Sequence, residues 1–319
     1  MIFKFRPLLK QTLWGGDKIA AMKQLGKVSG VGESWEVSGL EGNLSVVAEG
    51  DYANQTLAQL VRSMGPRLVG KHVHMLYGDE FPLIVKFIDA HADLSVQVHP
   101  DDETARRHGY TRGKTEMWYI MSSAADAKLY CGFNHDMTEQ EYRRRVAEGT
   151  LCEVLRQYDV AEGDAFFLPA GRVHAIGSGC MLAEVHQASD ITYRMYDYGR
   201  KDKDGRERQL HIDEAAEVTQ WSASGDERIR KVPQAGRGVE LARCDYFCLA
   251  RYDVQDDAVS IAEAVADSFV ILIGVAGEGT VTAGGRKESL RCGESLLVAA
   301  ECTNIRVEGH MSLLAAYIP

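Results

Sequence analysis

Four short segments of this chain carry residues that could build a metal-dependent site. In Ser95-Val96-Gln97-Val98-His99-Pro100, a strand would turn Ser95, Gln97 and His99 to one face and Val96 and Val98 to the other. A carbonyl oxygen and an imidazole two residues apart can then reach a single metal. In Gly113-Lys114-Thr115-Glu116-Met117-Trp118-Tyr119-Ile120, Glu116 opens an apolar strand, with Lys114 on the same face. In Leu168-Pro169-Ala170-Gly171-Arg172-Val173-His174-Ala175-Ile176, a Pro-Ala-Gly turn delivers His174 into the next strand among apolar neighbours, where a buried imidazole needs a polar partner. Two histidines and a carboxylate form a common ligand set for Zn²⁺ and other divalent metals, with positions left for water or substrate. Gln97 would supply a fourth, oxygen ligand. In Leu182-Ala183-Glu184-Val185-His186-Gln187, Glu184 alternates with apolar residues and is expected to face the same interior as His174, with Arg194 following an Asp-rich turn. Taken singly, each has a plainer reading: a hydrogen-bonded histidine, an exposed glutamate, or an arginine paired with Asp190 or Asp197.

The elements that must position these groups read mainly as strands. Leu44 to Val47, Leu83 to Ile88, Leu94 to Val98, Met117 to Met121, Lys128 to Cys131, Ala165 to Leu168 and Met181 to Val185 are short β-rich runs. So are Phe269 to Ile273, Ser295 to Val298 and Ser312 to Ile318. Two regions read as helical insertions, at about residues 55–75 and 138–158. The first places Leu57, Leu60, Val61, Met64 and Leu68 on one face, broken at Gly65-Pro66; the second opens with Thr138 and Glu141 in a capping-box arrangement. A mainly β fold follows, with helices against barrels or sandwiches.

An internal repeat refines this. Gly163-Asp164-Ala165-Phe166-Phe167-Leu168-Pro169-Ala170 resembles Gly293-Glu294-Ser295-Leu296-Leu297-Val298-Ala299-Ala300, the pattern expected of two tandem cupin (jelly-roll, double-stranded β-helix) barrels. Continued without a gap, the match sets His174 opposite Asn304 and Glu184 opposite Leu314. Residues 1–235 would be the catalytic, metal-binding unit, and residues 236–319 a cupin-like unit without metal. Glu278, Glu288 and Glu294 of the second unit are expected in turns.

Composition bounds the function. A net charge of -10 excludes nucleic-acid binding through a basic field. Arg143-Arg144-Arg145 and the stretch from Arg200 to Arg208 are interleaved with acids and read as solvated faces. No apolar run is long enough to cross a membrane. Met1 to Pro7 shows no secretory signal, and the 7 scattered cysteines form no disulfide framework, so a reducing cytoplasm is the expected compartment. The oligomeric state is not encoded in any of these features.

These segments, with Trp14-Gly15-Gly16, Glu33-Ser34-Trp35-Glu36-Val37-Ser38-Gly39 and Pro82-Leu83-Ile84-Val85-Lys86-Phe87, resemble type I phosphomannose isomerase in order and wording. The resemblance implies a zinc-dependent interconversion of mannose 6-phosphate and fructose 6-phosphate, hence a small sugar phosphate as partner and one metal per chain. It puts the metal ligands on Gln97, His99, Glu116 and His174, the catalytic arginine on Arg194, pocket lysines on Lys86 and Lys114, and the active-site glutamate on Glu184. Glu184 and Lys114 are its acid or base candidates, provided burial moves their pKa values toward neutrality. Lys86 would hold a substrate oxygen or pair with Asp89. A cupin oxygenase, or a sugar-binding regulator without turnover, are the alternatives. Gln97 standing where the cupin pattern has its first histidine argues against the oxygenase.

Overall fold

The computed structural model describes residues 1–234, 236–255, 257–262 and 266–319. Its architecture is mainly β, as expected. A seven-stranded antiparallel sheet runs in the order Arg228–Ile229, Ala165–Leu168, Glu116–Ser123, Cys180–Gln187, Leu83–Asp89, Val31–Ser38 and Leu8–Gly16. A five-stranded sheet packs against it in the order Leu155–Asp159, Lys128–Phe133, His174–Ile176, Val96–Val98 and Tyr193–Tyr196. The third sheet, of eight strands, is built on the long pair Val270–Ala283 and Ile305–Tyr317. Ile2–Phe3 joins its edge by pairing with Ser295–Val298, Ile2 opposite Val298.

Period-two alternation decides what each strand buries. In the seven-stranded sheet, Val85, Phe87, Met117, Tyr119, Ala183 and Val185 point to one side. There they share a core with Ile271, Ile273, Leu297 and Leu314 of the third sheet. Ile88, Trp118, Ile120 and Leu182 point to the other side and meet Leu129, Cys131 and Ile176 of the five-stranded sheet. The polar residues Lys86, Glu116 and Glu184 share the parity of this second set, so they turn into the space between the two sheets.

The first helical segment breaks where its glycines fall, into Leu57–Met64, Pro66–Val69 and Lys71–Tyr77. Thr56 and Gln59 close a capping box at its start, and Leu57, Leu60, Val61, Met64 and Leu68 are buried. Gly70 has φ of 95°, and a Cβ there would stand 2.1 Å from the carbonyl oxygen of Asp267, so only glycine fits this crossing. The second segment departs from expectation. Its helix spans Glu139–Glu148 and ends on the left-handed Gly149, after which Leu155–Asp159 is a strand. The pairing of Tyr158 with Leu129 and of Leu155 with Phe133 overrides the helical pattern there.

The repeat holds in part. Ala165–Leu168 and Ser295–Val298 correspond residue for residue, with Phe166 and Leu296 both facing a barrel interior. Farther on the ungapped match slips. Glu184 faces inward, whereas Leu314 belongs to the shared core and Leu313 faces inward. A one-residue offset exchanges the two faces of a strand. Glu278 and Glu288 lie in the strands Val270–Ala283 and Arg286–Arg291, not in turns. Glu294 does sit between strands, paired to Lys4 at 2.8 Å.

The shared core makes a stability prediction. Phe269 is fully buried there and its ring lies 4.5 Å from that of Phe81. Replacing it with Ala is expected to destabilise the protein by about 3–5 kcal/mol. Denaturant unfolding measures this; a loss below about 1 kcal/mol would show that the shared core can collapse around the void.

Candidate metal centre and active site

Three elements bring the metal candidates together. Glu116 is the first residue of its strand, His174 begins His174–Ile176, and Gln97 sits directly opposite His174 in the adjacent strand. His99 follows two residues after Gln97 on the same face, just before Pro100. His99, Glu116 and His174 are each no more than 1% exposed, and one ligand atom from each lies within 4.8 Å of the others.

Hydrogen bonding fixes the state of both rings. His99 Nδ1 donates to the Ile191 carbonyl oxygen at 2.8 Å, and His174 Nδ1 donates to that of Arg172 at 2.8 Å. In each neutral ring Nε2 then carries a lone pair. These lone pairs stand 3.5 Å from Oε2 and 3.1 Å from Oε1 of Glu116. His99 Nε2 and both Glu116 oxygens are buried with no hydrogen-bond partner. Burial pushes the His99 pKa well down and that of His174 down to about 4, so neither ring readily supplies the missing proton. Acceptors converging this closely, with His99 Nε2 and Glu116 Oε1 given no donor, fit a divalent cation, and histidines braced by a backbone carbonyl through the other nitrogen are the usual metal-ligating arrangement. Gln97 points to the same place, with its amide nitrogen 3.2 Å from His174 Nε2. A half-turn of the amide would present its oxygen instead.

Beside this centre lies a cavity of about 130 Å³ whose walls include Lys86, Lys114, Glu184, Arg194 and Gln97. All the remaining candidates are therefore in one place. Cross-strand register explains it: Trp35, Lys86, Glu184 and Trp118 are neighbours in a row across the seven-stranded sheet, and Arg194 is opposite Gln97 in the five-stranded one. Trp118 Nε1 donates to Glu184 Oε2 at 2.8 Å. Lys86 does not pair with Asp89, which accepts from the backbone of Lys18. Its ammonium lies 3.8 Å from Glu184 Oε1, 3.9 Å from Glu33 Oε2 and over the Trp35 ring. Lys114 Nζ is 3.2 Å from Glu116 Oε2.

The acid and base candidates part company here. Burial, with Glu116 nearby, raises the Glu184 pKa above the ordinary carboxylate value. Lys114 moves the other way: burial works against its charge, but Glu116, Glu184 and Asp190 outweigh it and hold the ammonium. Arg194 pairs with neither Asp190 nor Asp197. Its Nη1 donates to the Gln209 carbonyl oxygen at 2.9 Å, and its Nε is buried without a partner.

The structure adds residues that sequence reasoning passed over. Arg208 lines the cavity and is clamped by Asp197, with Nε at 2.7 Å from Oδ2. It lies in the stretch read as a solvated face, and nothing local to it marks the difference. Glu33 and His186 also face the site, and for His186 a signal existed in its spacing of two from Glu184 on one strand.

Replacing His99 or His174 with Ala is expected to drop bound metal from about one per chain to near zero. Elemental analysis of purified protein reads this directly, and full metal content in either variant would remove that histidine from the ligand set.

Residues 2–143 match the catalytic domain of type I phosphomannose isomerase, and residues 239–318 match the cupin domain of mannose-6-phosphate isomerase. The chain is 33% identical to mannose-6-phosphate isomerase ManA of Bacillus subtilis (strain 168), covering 98% of each. It is 30% identical to the mannose-6-phosphate isomerase of Streptococcus mutans, covering 97% of this chain and 96% of that one. In structure it superposes on the mannose 6-phosphate isomerase of Bacillus subtilis with a TM-score of 0.83 at 26% identity, over 99% of both chains. A variant of the phosphomannose isomerase of Salmonella typhimurium, at 15% identity and a TM-score of 0.80 over 99% of both chains, shares the fold. With a near full-length relative at this level of identity, two matching domains and a buried His-Glu-His centre, the chain belongs to the type I phosphomannose isomerase family.

Proposed function

We propose that the chain interconverts mannose 6-phosphate and fructose 6-phosphate by moving a proton between C1 and C2 through an enediol. Residues 1–235 would act as the catalytic unit and 236–319 as its structural companion. The observation that carries this reading is the cavity in which Glu184, Lys86, Lys114 and Arg194 meet directly beside the converging, ligand-capable atoms of His99, Glu116 and His174.

His99, Glu116 and His174, with Gln97 as oxygen donor, would hold zinc. Bound there, zinc would supply Lewis-acid polarisation of the carbonyl and hydroxyl oxygens at C1 and C2 of the open-chain sugar. Glu184 is the group that takes the carbon-bound proton. Its Oε2 is occupied by the Trp118 N–H, its Oε1 is left for the proton, and burial raises its basicity. Lys114 serves as a fixed positive charge, not as the base. Arg194 remains protonated even though burial and Arg208 lower its pKa, and it faces the negative charge that develops on the enediolate oxygens. Lys86, already shared between two carboxylates, hydrogen-bonds a substrate oxygen. Among the described residues no helix is long and apolar enough to cross a membrane. The 7 cysteines are free, as they would be kept in a reducing cytoplasm.

A coupled assay of mannose 6-phosphate conversion, run beside elemental analysis, tests the reading. Arg194→Ala is expected to keep its metal and lose roughly 10²–10³ in kcat. An unchanged kcat would leave Arg194 a structural residue. Oxygen uptake in place of isomerisation would point to the oxygenase chemistry of other cupins.

A further inference from the structure

His186 is fully buried and has no place in the mechanism above. It lies outside the metal-capable group of His99, Glu116 and His174. Its strand, Cys180–Gln187, turns it to the same side as Glu184, and Glu116 sits opposite it in register. The ring Nδ1 is 2.7 Å from the Gln187 carbonyl oxygen, an acceptor, so Nδ1 holds the hydrogen and Nε2 carries the lone pair. That lone pair is buried and unpartnered. The Glu184 Oε1 atom stands 3.3 Å from it.

We propose that His186 is a positioning residue for Glu184, its Nε2 accepting the proton that Glu184 Oε1 carries between C1 and C2. With Glu184 ionised, the Oε1 lone pair opposes that of Nε2 in a buried position, and the nearest ammonium, Lys86, stands farther off at 3.8 Å. With Glu184 protonated at Oε1, the O–H donates to Nε2 and both atoms are satisfied. The imidazole thus favours the protonated over the ionised carboxyl and strengthens Glu184 as a base. In the forward step the C2–H bond breaks, its electron pair forms the C1=C2 bond as the C1=O pair moves onto O1, and the proton forms O–H on Oε1. In the return step the O2 hydrogen has passed to O1, C2=O forms, the C1=C2 pair takes the proton from Oε1 to form C1–H, and the carboxylate is left as it began. A protonated imidazole is disfavoured in this position: burial comes first, then the nearby ammonium groups of Lys114 and Lys86, and all push its pKa well below the usual value.

This inference rests on Glu184 being the base, and the test keeps the two apart. His186→Leu, His186→Gln and Glu184→Gln are compared with the wild type and with the His186→Leu/Glu184→Gln double variant. In the Leu variant kcat is expected to fall roughly tenfold to a hundredfold, with KM for mannose 6-phosphate and metal content unchanged. The Gln variant, whose amide oxygen can accept the same proton, is expected to recover most of that loss. In the Glu184→Gln background, His186→Leu is expected to lower kcat no further. An equal drop in both backgrounds, wild-type kcat in the Leu variant, a Gln variant as slow as Leu, or loss of metal with His186 would each overturn the inference. If Leu prevents folding, as read by thermal melting, the shorter His186→Asn, which cannot reach Oε1, takes its place. Wild-type turnover by Glu184→Gln would remove the base assignment itself, whatever His186 does.

Discussion

Glu116 has no solvent exposure, and the two imidazole rings that face it have already committed their N–H hydrogens elsewhere, through Nδ1. A buried carboxylate facing two lone pairs is costly, and the one ammonium at its edge, that of Lys114, does not relieve the two rings. Much of the first barrel can be understood as the scaffold that holds this unfavourable grouping still. Glu116 is pinned between Leu168 and His186 in register, His174 between Gln97 and Cys131. The carbonyls that orient the two histidines come from Ile191 and Arg172, outside the sheets' own ladders. Each candidate ligand is thus braced from a different part of the chain, so that no single strand can relax and let the acceptors separate.

The charge pattern is local in the same way. A chain of net charge -10 keeps Lys86, Lys114, Arg194 and Arg208 around one small cavity. Glu33 shows what these cations do: burial alone would raise its pKa, yet Lys86, the Trp35 N–H and Lys114 hold it below the ordinary value. In an acidic chain, an anionic sugar phosphate must rely on such local cations for attraction, not on the overall field.

Much of this was legible in the residues. Ala165–Leu168 and Ser295–Val298 read to the residue because each is bracketed by a glycine-acid turn and by Pro or Ala. The shared facing of Gln97 and His99 and the inward facing of Glu184 followed from period-two spacing, and His174 was marked by the turn that delivers it among apolar neighbours. What failed did so where partners at a distance decide. Leu155–Asp159 carries a helix-compatible pattern and became a strand because Lys128–Phe133 was there to pair with it. Arg208 could not be told from its neighbours because its role depends on Asp197 and on a cavity wall built from other strands. The repeat lost its facing between residues 168 and 181, where an offset invisible in the letters exchanges inside for outside.

The pairing of Ile2–Phe3 with Ser295–Val298 gives the molecule a further property. Residues made early are completed by residues made late, so the loop closed by this contact spans nearly the whole chain. Contacts of such long range are slow to form, because the entropy of ordering everything between is lost before they give anything back. Until residue 298 arrives, Ile2–Phe3 stands with open backbone groups, a state in which strands recruit wrong partners. The same contact, once made, ties the first residues into the second β-unit, so that fraying at that end must disturb a sheet that also shares its core with the catalytic barrel.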